Sequence, residues 1–199
     1  GIAMRARGMG ARVIVCEVNA TRALEAIMEG FQVLSMAEAA DLGDIFVTAT
    51  GVASVIRPEH FVAMKDGAIL ANSGHFDIEI DVAALHDLST SEKQLREHLR
   101  EFHLPNGRAV YLLAEGRLVG QSAAEASPAA VMDLSFADQA LCTSYLLQPG
   151  QQLPPAVYDV PPDLDERVAS LKLQALGVRL DTLNEEQRTY QHSWKIGTV

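Results

Sequence analysis

Two spacings of apolar residues alternate along the first part of the chain. In ARVIVCE (11–17), QVLSM (32–36), DIFVTATG (44–51) and AILANSG (68–74), apolar and β-branched residues stand side by side. Short runs of this kind, bounded by turn residues, predict buried parallel strands. Between them apolar residues return every three or four positions. NATRALEAIMEGF (19–31) predicts a helix that starts at the capping residue Asn19 and stops at Gly30. AEAADLG (37–43) predicts a short helix, and RPEHFVAMKDG (57–67) one that ends in a glycine turn. Residues 1–10 read as the tail of a helix closed by Gly8 and Gly10. Strand and helix alternating with glycine at the joints predict an α/β fold, a Rossmann-like doubly wound parallel sheet.

From Asp77 the alternation loosens. DIEIDVAALHDL (77–88) predicts a short extended piece and a helix. TSEKQLREHLREFHLPNGRAVYLLAEGRLV (90–119) reads as a charged, solvated segment, a PNG turn, and then a hairpin-like or sheet-edge pair. SPAAVMDLSFADQALCTSYLL (127–147) predicts a helix of about twenty residues with a Ser-Pro start. QPGQQLPPAVYDVPPD (148–163) holds five of the eight prolines, which makes it a semi-rigid connector. Two short amphipathic helices broken at Gly177 are expected after it.

Composition narrows the partners. Apolar residues make up 48% of the 199, enough to bury a core. The formal charge of −10 argues against nucleic acid or an anionic membrane, since both need a basic face. No apolar run approaches 18 residues, so no membrane span is expected, and the first residues lack the apolar core of a signal peptide. Two cysteines build no disulfide framework and fit a reducing, cytoplasmic setting. Cys16, inside a strand pattern, reads as a small core residue.

Candidate chemistry gathers at strand ends. Glu17 closes the first strand, where a dinucleotide-binding unit places the acid that takes the two adenosine ribose hydroxyls. The other reading is that any acid can end a strand. TATG (48–51) and NSGH (72–75) lie at carboxyl ends of buried strands, the edge at which open α/β sheets bind ligands. Their glycines let a cofactor approach the main chain, or form plain strand-to-helix turns. His75 is placed to carry a proton or hold a ligand, or to be a hydrogen-bonded surface histidine. His60, His86, His98, His103 and His192 lie in helical or charged stretches and read as surface residues. No CxxC or HxxxH spacing points to a metal, and no GxSxG to a nucleophile elbow.

The strings GARVIVCEVNATRALEAIMEGF, DIFVTATG, HFVAMKDGAILANSGHFDIEIDV, NGRAVYLLAEGRLV and MDLSFADQAL together resemble the S-adenosylhomocysteine hydrolase family. The likeness runs through nearly the whole chain, and MKDGAILANSGHFDIEID and LLAEGRLV are specific to that family. The ending EEQRTYQHSWKIGTV is similar to that of the shorter archaeal and bacterial members. The resemblance implies NAD as cofactor and reversible hydrolysis of S-adenosyl-L-homocysteine to adenosine and L-homocysteine. In the family, NAD+ oxidises the ribose 3′-hydroxyl, the neighbouring C4′ proton becomes acidic, homocysteine leaves C5′, water adds, and the ketone is reduced back.

It further implies that a substrate domain, a first strand and the glycine-rich loop precede Gly1, and that the main proton-transfer residues belong to that part. Residues 1–127 are then expected as an NAD-binding domain, and 128–199 as a helical segment that packs on the substrate domain. Carried over by position, the cofactor contacts are Gly1, Glu17, Arg22, Thr50, Gly51, Ser73, Gly74, His75 and Gly120, with His75 also the catalytic candidate. A homotetramer is implied as well. Two positions depart from the family pattern: Gly120 stands where an asparagine holds the nicotinamide amide, and Ser127 where a histidine precedes the proline. Arg22 also replaces a common asparagine or lysine. These departures leave open a second reading, a non-catalytic relative that binds NAD or a partner protein.

Overall fold

A computed structural model of the chain describes residues 1–148, 150 and 153–193. The remaining positions, which include part of the proline-rich connector and 194–199 of the family-like ending, lie outside the described residues. The chain divides into two compact units, residues 1–126 and 127–199.

The first unit is α/β in the order α1 (Ile2–Gly8), β1 (Ile14–Val15), α2 (Ala20–Met28), β2 (Gln32–Val33), α3 (Met36–Ala39), β3 (Ile45–Thr48), α4 (Pro58–Ala63), β4 (Ala68–Asn72), α5 (Val82–Leu88), β5 (Ser91–Arg96), β6 (Leu99–His103), β7 (Ala109–Leu113) and α6 (Val119–Ser122). Local chemistry sets the helix starts. Asn19 accepts the N–H of Arg22 at the head of α2. Ser35 and Glu38 form a reciprocal capping box on α3. Asp81 accepts the N–H of Ala84 on α5.

Strands β1 and β2 pair in parallel, Ile14 with Gln32 and Val15 with Val33. The other five form one sheet in the order β3-β4-β7-β6-β5. Strand β4 runs parallel to both β3 and β7, while β5, β6 and β7 form an antiparallel meander. The core lies under this sheet: Phe61, Met64, Leu70, Ile80, Leu85, Phe102, Val110 and Leu112 are closed to solvent and pack with Ile56 and Leu104. β4 is buried along most of its length, as a central parallel strand flanked on both edges should be.

Three sequence expectations need correcting here. The charged segment before the PNG turn is not merely a solvated face; it is the β5–β6 hairpin at the sheet edge. Lys93 faces Glu101 across it, and Phe102 anchors it in the core. Cys16 is exposed, because the paired length of β1 stops at Val15. His60 is 3% exposed rather than a surface residue: α4 turns it inward, and its Nδ1 accepts the N–H of Arg57 at 3.1 Å.

The second unit holds α7 (Ala129–Leu146), α8 (Pro162–Ala175) and α9 (Glu185–Gln191). α7 and α8 pack together, with Lys172 donating to Asp133 at 2.7 Å and Val168 buried. Gly177, with φ +69°, follows the end of α8. Among the described residues no helix is long and apolar enough to cross a membrane.

Candidate functional site

β3 and β4 end level with one another, Thr48 beside Asn72. Both side chains are buried polar groups, and both are satisfied. Asn72 Oδ1 accepts from Thr48 Oγ1 at 3.0 Å and from the Gly74 N–H at 2.6 Å. Its Nδ2 donates to the carbonyls of Phe76 at 2.8 Å and Gly116 at 2.9 Å, with a longer contact to that of Gly74 at 3.4 Å. One amide therefore fastens the end of β3, the turn after β4 and the 114–116 turn after β7. That last turn is unusual, since Ala114 and Glu115 both have positive φ. Arg100 on β6 holds Glu115 at 3.1 Å from outside.

Glu79 closes the other side of the same edge. It is 1% exposed. Its Oε2 accepts from the Thr50 N–H at 2.8 Å and from Thr50 Oγ1 at 2.9 Å, and its Oε1 accepts from the Gly51 N–H at 2.8 Å. Its carbonyl accepts from Val55 at 2.7 Å and Ile56 at 3.1 Å. Residues 50–56 thus wrap around a single glutamate. Taking a carboxylate out of water costs several kcal/mol. Three hydrogen bonds to a charged acceptor return roughly 1.5–3 kcal/mol each, so the two sides nearly offset. Gly74 faces this carboxylate so closely that a Cβ there would lie 1.8 Å from Glu79 Oε1.

The residues singled out from the sequence fall into separate groups. Thr50, Gly51, Ser73, Gly74 and His75 gather at the carboxyl edge of β3 and β4. Thr50 and Gly51 are exposed, and Gly51 has φ +71° with nothing within 4 Å of where a Cβ would stand. Its main chain is bare to a ligand. The Ser73 N–H donates to the Thr48 carbonyl at 2.7 Å. His75 is exposed, with its ring edge-on to Phe76 at 4.6 Å. Glu17 lies on the β1–α2 connection and Arg22 in the first turn of α2. Glu17 Oε1 accepts the N–H groups of Val18 at 2.7 Å and Asn19 at 2.9 Å. These bonds, that from Asn19 foremost, hold its carboxyl below the ordinary glutamate range. Among the described residues no hydrogen bond or ion pair joins this pair to the Thr50–His75 group. Gly1 caps α1 and is exposed. Gly120 lies in α6 with open space where a side chain would go.

Sequence reasoning had Asn72 only as part of NSGH, with no role of its own, and missed Glu79. A signal for the second was present in DIEID, where a glutamate stands between two isoleucines ahead of the capping residue Asp81. A buried charge in an apolar setting marks a structural or functional demand.

Residues 1–126 match the model of the S-adenosyl-L-homocysteine hydrolase NAD-binding domain. Over its full length the chain is 54% identical to the adenosylhomocysteinase of Sulfurisphaera tokodaii, covering 48% of that protein. It is 56% identical to the adenosylhomocysteinase of Aquifex aeolicus, covering 47%, and 53% identical to that of Archaeoglobus fulgidus, covering 49%. The chain spans about half the length of the curated relatives it matches.

Proposed function

The chain belongs to the S-adenosyl-L-homocysteine hydrolase family, and from that membership we propose that it supplies the NAD-binding part of an enzyme that reversibly hydrolyses S-adenosyl-L-homocysteine to adenosine and L-homocysteine. The observation that carries this reading is the Thr50–His75 group. It offers a bare main chain at Gly51, a tightly drawn turn at Gly74 and an exposed imidazole at one parallel-sheet edge. The residues fit a dinucleotide. Glu17 is an exposed carboxylate past the end of β1, with Oε1 committed to main-chain N–H groups and Oε2 left for a ribose hydroxyl.

When bound, NAD would supply the hydride acceptor for the ribose 3′-hydroxyl, whose ketone makes the neighbouring C4′ proton acidic, and would return the hydride at the end. The chain's own residues bind and orient. Glu17 holds the adenosine ribose, and Arg22 lies beside it at the start of α2. Thr50 and Gly51 line the cofactor, and Ser73, Gly74 and His75 form the main-chain and imidazole segment near the nicotinamide and the substrate. His75 is the group on this chain that can exchange a proton near the reacting carbon. Gly1 and Gly120 complete the cofactor contacts. Residues 1–127 act as the NAD-binding domain, and 128–199 pack on the family's substrate domain in the full-length protein. The family pattern further supports a homotetramer in the cytoplasm, with a small-molecule substrate and no nucleic-acid or membrane partner.

The test uses the full-length protein. Denaturation should release NAD in about one equivalent per subunit. Incubation with S-adenosyl-L-homocysteine should liberate a free thiol and adenosine. NAD without turnover would instead favour a non-catalytic NAD-binding relative. Neither NAD nor turnover would reject the reading.

A further inference from the structure

We propose that Glu79 is a positioning residue for the cofactor: its buried carboxylate sets the Thr50–Gly51 main chain in the shape that receives NAD. The inference rests on the NAD-binding reading above and names a residue that reading did not use.

Three observations meet at this side chain. First, its two oxygens accept three donors, all from Thr50 and Gly51, at 2.8–2.9 Å. Both oxygens act as acceptors, which is the pattern of a carboxylate. Second, among the described residues no Lys, Arg or His lies within ion-pair distance of it. A group placed only to fill the core would be apolar, since a buried charge without a counter-ion adds nothing to packing. Third, the residues it holds are exposed while it is not. Thr50 and Gly51 face solvent at the sheet edge, and Gly51 keeps its φ of +71° there.

The Thr50 and Gly51 N–H groups are spent inward on Glu79. They therefore do not serve as ligand donors. What the edge leaves open is the Gly51 Cα, with nothing within 4 Å of where a Cβ would stand, a bare surface for the face of a ring. Gly74 belongs to the same arrangement, because only a glycine leaves Glu79 Oε1 its place.

Glu79→Gln keeps the shape and removes one acceptor. An amide has a single acceptor oxygen, so its NH2 must confront either the Gly51 N–H or the Thr50 N–H. In the full-length protein, NAD should leave Glu79→Gln about ten to a hundred times faster than wild type. The difference in Tm between NAD-loaded and NAD-free protein should shrink. A purely structural role would lower both Tm values together and leave that difference intact. Thr50→Val removes the hydroxyl donor, and Glu79→Gln should have a smaller effect on NAD loss in the Thr50→Val background than in wild type, because the two act through one turn.

Amide exchange at Thr50 and Gly51 in the NAD-free wild type gives a reading that needs no variant. Strong protection at these exposed residues is expected, and exchange at the rate of an open turn overturns the brace. Unchanged NAD loss and an unchanged Tm difference in Glu79→Gln overturn the positioning role. A wild type that holds no NAD while Thr50 and Gly51 stay protected would mean that the cofactor reading has failed and the brace has not.

Discussion

Glu17 and Glu79 are carboxylates with opposite surroundings, and their expected behaviour differs accordingly. Glu17 is exposed, and main-chain N–H groups at its own turn hold its carboxyl low. It therefore takes up a proton at a lower pH than an ordinary glutamate does. Glu17→Ala should weaken NAD binding in the full-length protein by about ten- to a hundredfold, the worth of hydrogen bonds to a charged acceptor. Calorimetric titration with NAD checks it, and undiminished affinity would remove the ribose assignment. Gly74 meets a different constraint. Its missing Cβ would stand 2.7 Å from Glu79 Cδ and 3.0 Å from Asn72 Oδ1. Gly74→Ala should cost about 1–3 kcal/mol, the usual range for overpacking. It should also lower Tm in thermal melts of protein stripped of cofactor, since the clash lies within the chain itself.

α4 and the β5–β6 hairpin carry the predictions that belong to whole elements. Burial of His60 in α4 pushes its imidazole below the ordinary histidine value, against a smaller opposing pull from Glu59. The folded state therefore favours neutral His60. The stability this gives is fully present above the ordinary histidine pKa of about 6.5 and is lost as pH falls below it. Chemical denaturation at stepped pH should show wild type weakening below that point and His60→Gln weakening less. The hairpin hangs on Phe102, which is closed to solvent. Phe102→Ala should cost about 3–5 kcal/mol and raise amide exchange across β5 and β6 before the rest of the sheet.

The elements differed in how plainly the sequence announced them. β3, β4 and α2 were legible because apolar runs and the capping residue Asn19 are local signals, whereas Ser35 and Met36, read as the end of a strand, are the cap and first residue of α3. The hairpin was masked, since Leu95, Leu99 and Phe102 are also spaced for one face of a helix. What decides it is pairing with β7 through the PNG turn, where Gly107 has φ +82°. Asn72 and Glu79 were hidden for a related reason. The bonds that tie Asn72 to Thr48 and Gly116, and Glu79 to Thr50 and Gly51, reach 24 to 44 positions along the chain, beyond any local window.

At the scale of the whole protein the proposed hydrolase reading can be tested at Gly120 and Ser127, the two positions that the resemblance marks as departures from the family pattern. Gly120 lies in the first unit and Ser127 begins the second, so each alters a different body. Nothing within the first unit obstructs repair at Gly120. Its backbone is helical, and an added side chain meets no atom within 4 Å of its Cβ. Asparagine there would be slightly favoured over glycine in helix propensity. Ser127 is exposed and precedes Pro128, the cap of α7, so histidine at this position also disturbs no packed group. The double variant Gly120→Asn, Ser127→His should therefore fold as well as wild type, with Tm unchanged within about a degree or two. If the natural residues merely impair the site, hydrolysis of S-adenosyl-L-homocysteine by the full-length protein should rise by about tenfold, the value of one recovered buried hydrogen bond. The two single variants should each gain less. A variant that folds and holds NAD but gains nothing would mean that restoring these two residues does not restore the family's chemistry, and a panel of nucleoside thioethers would then test for another substrate.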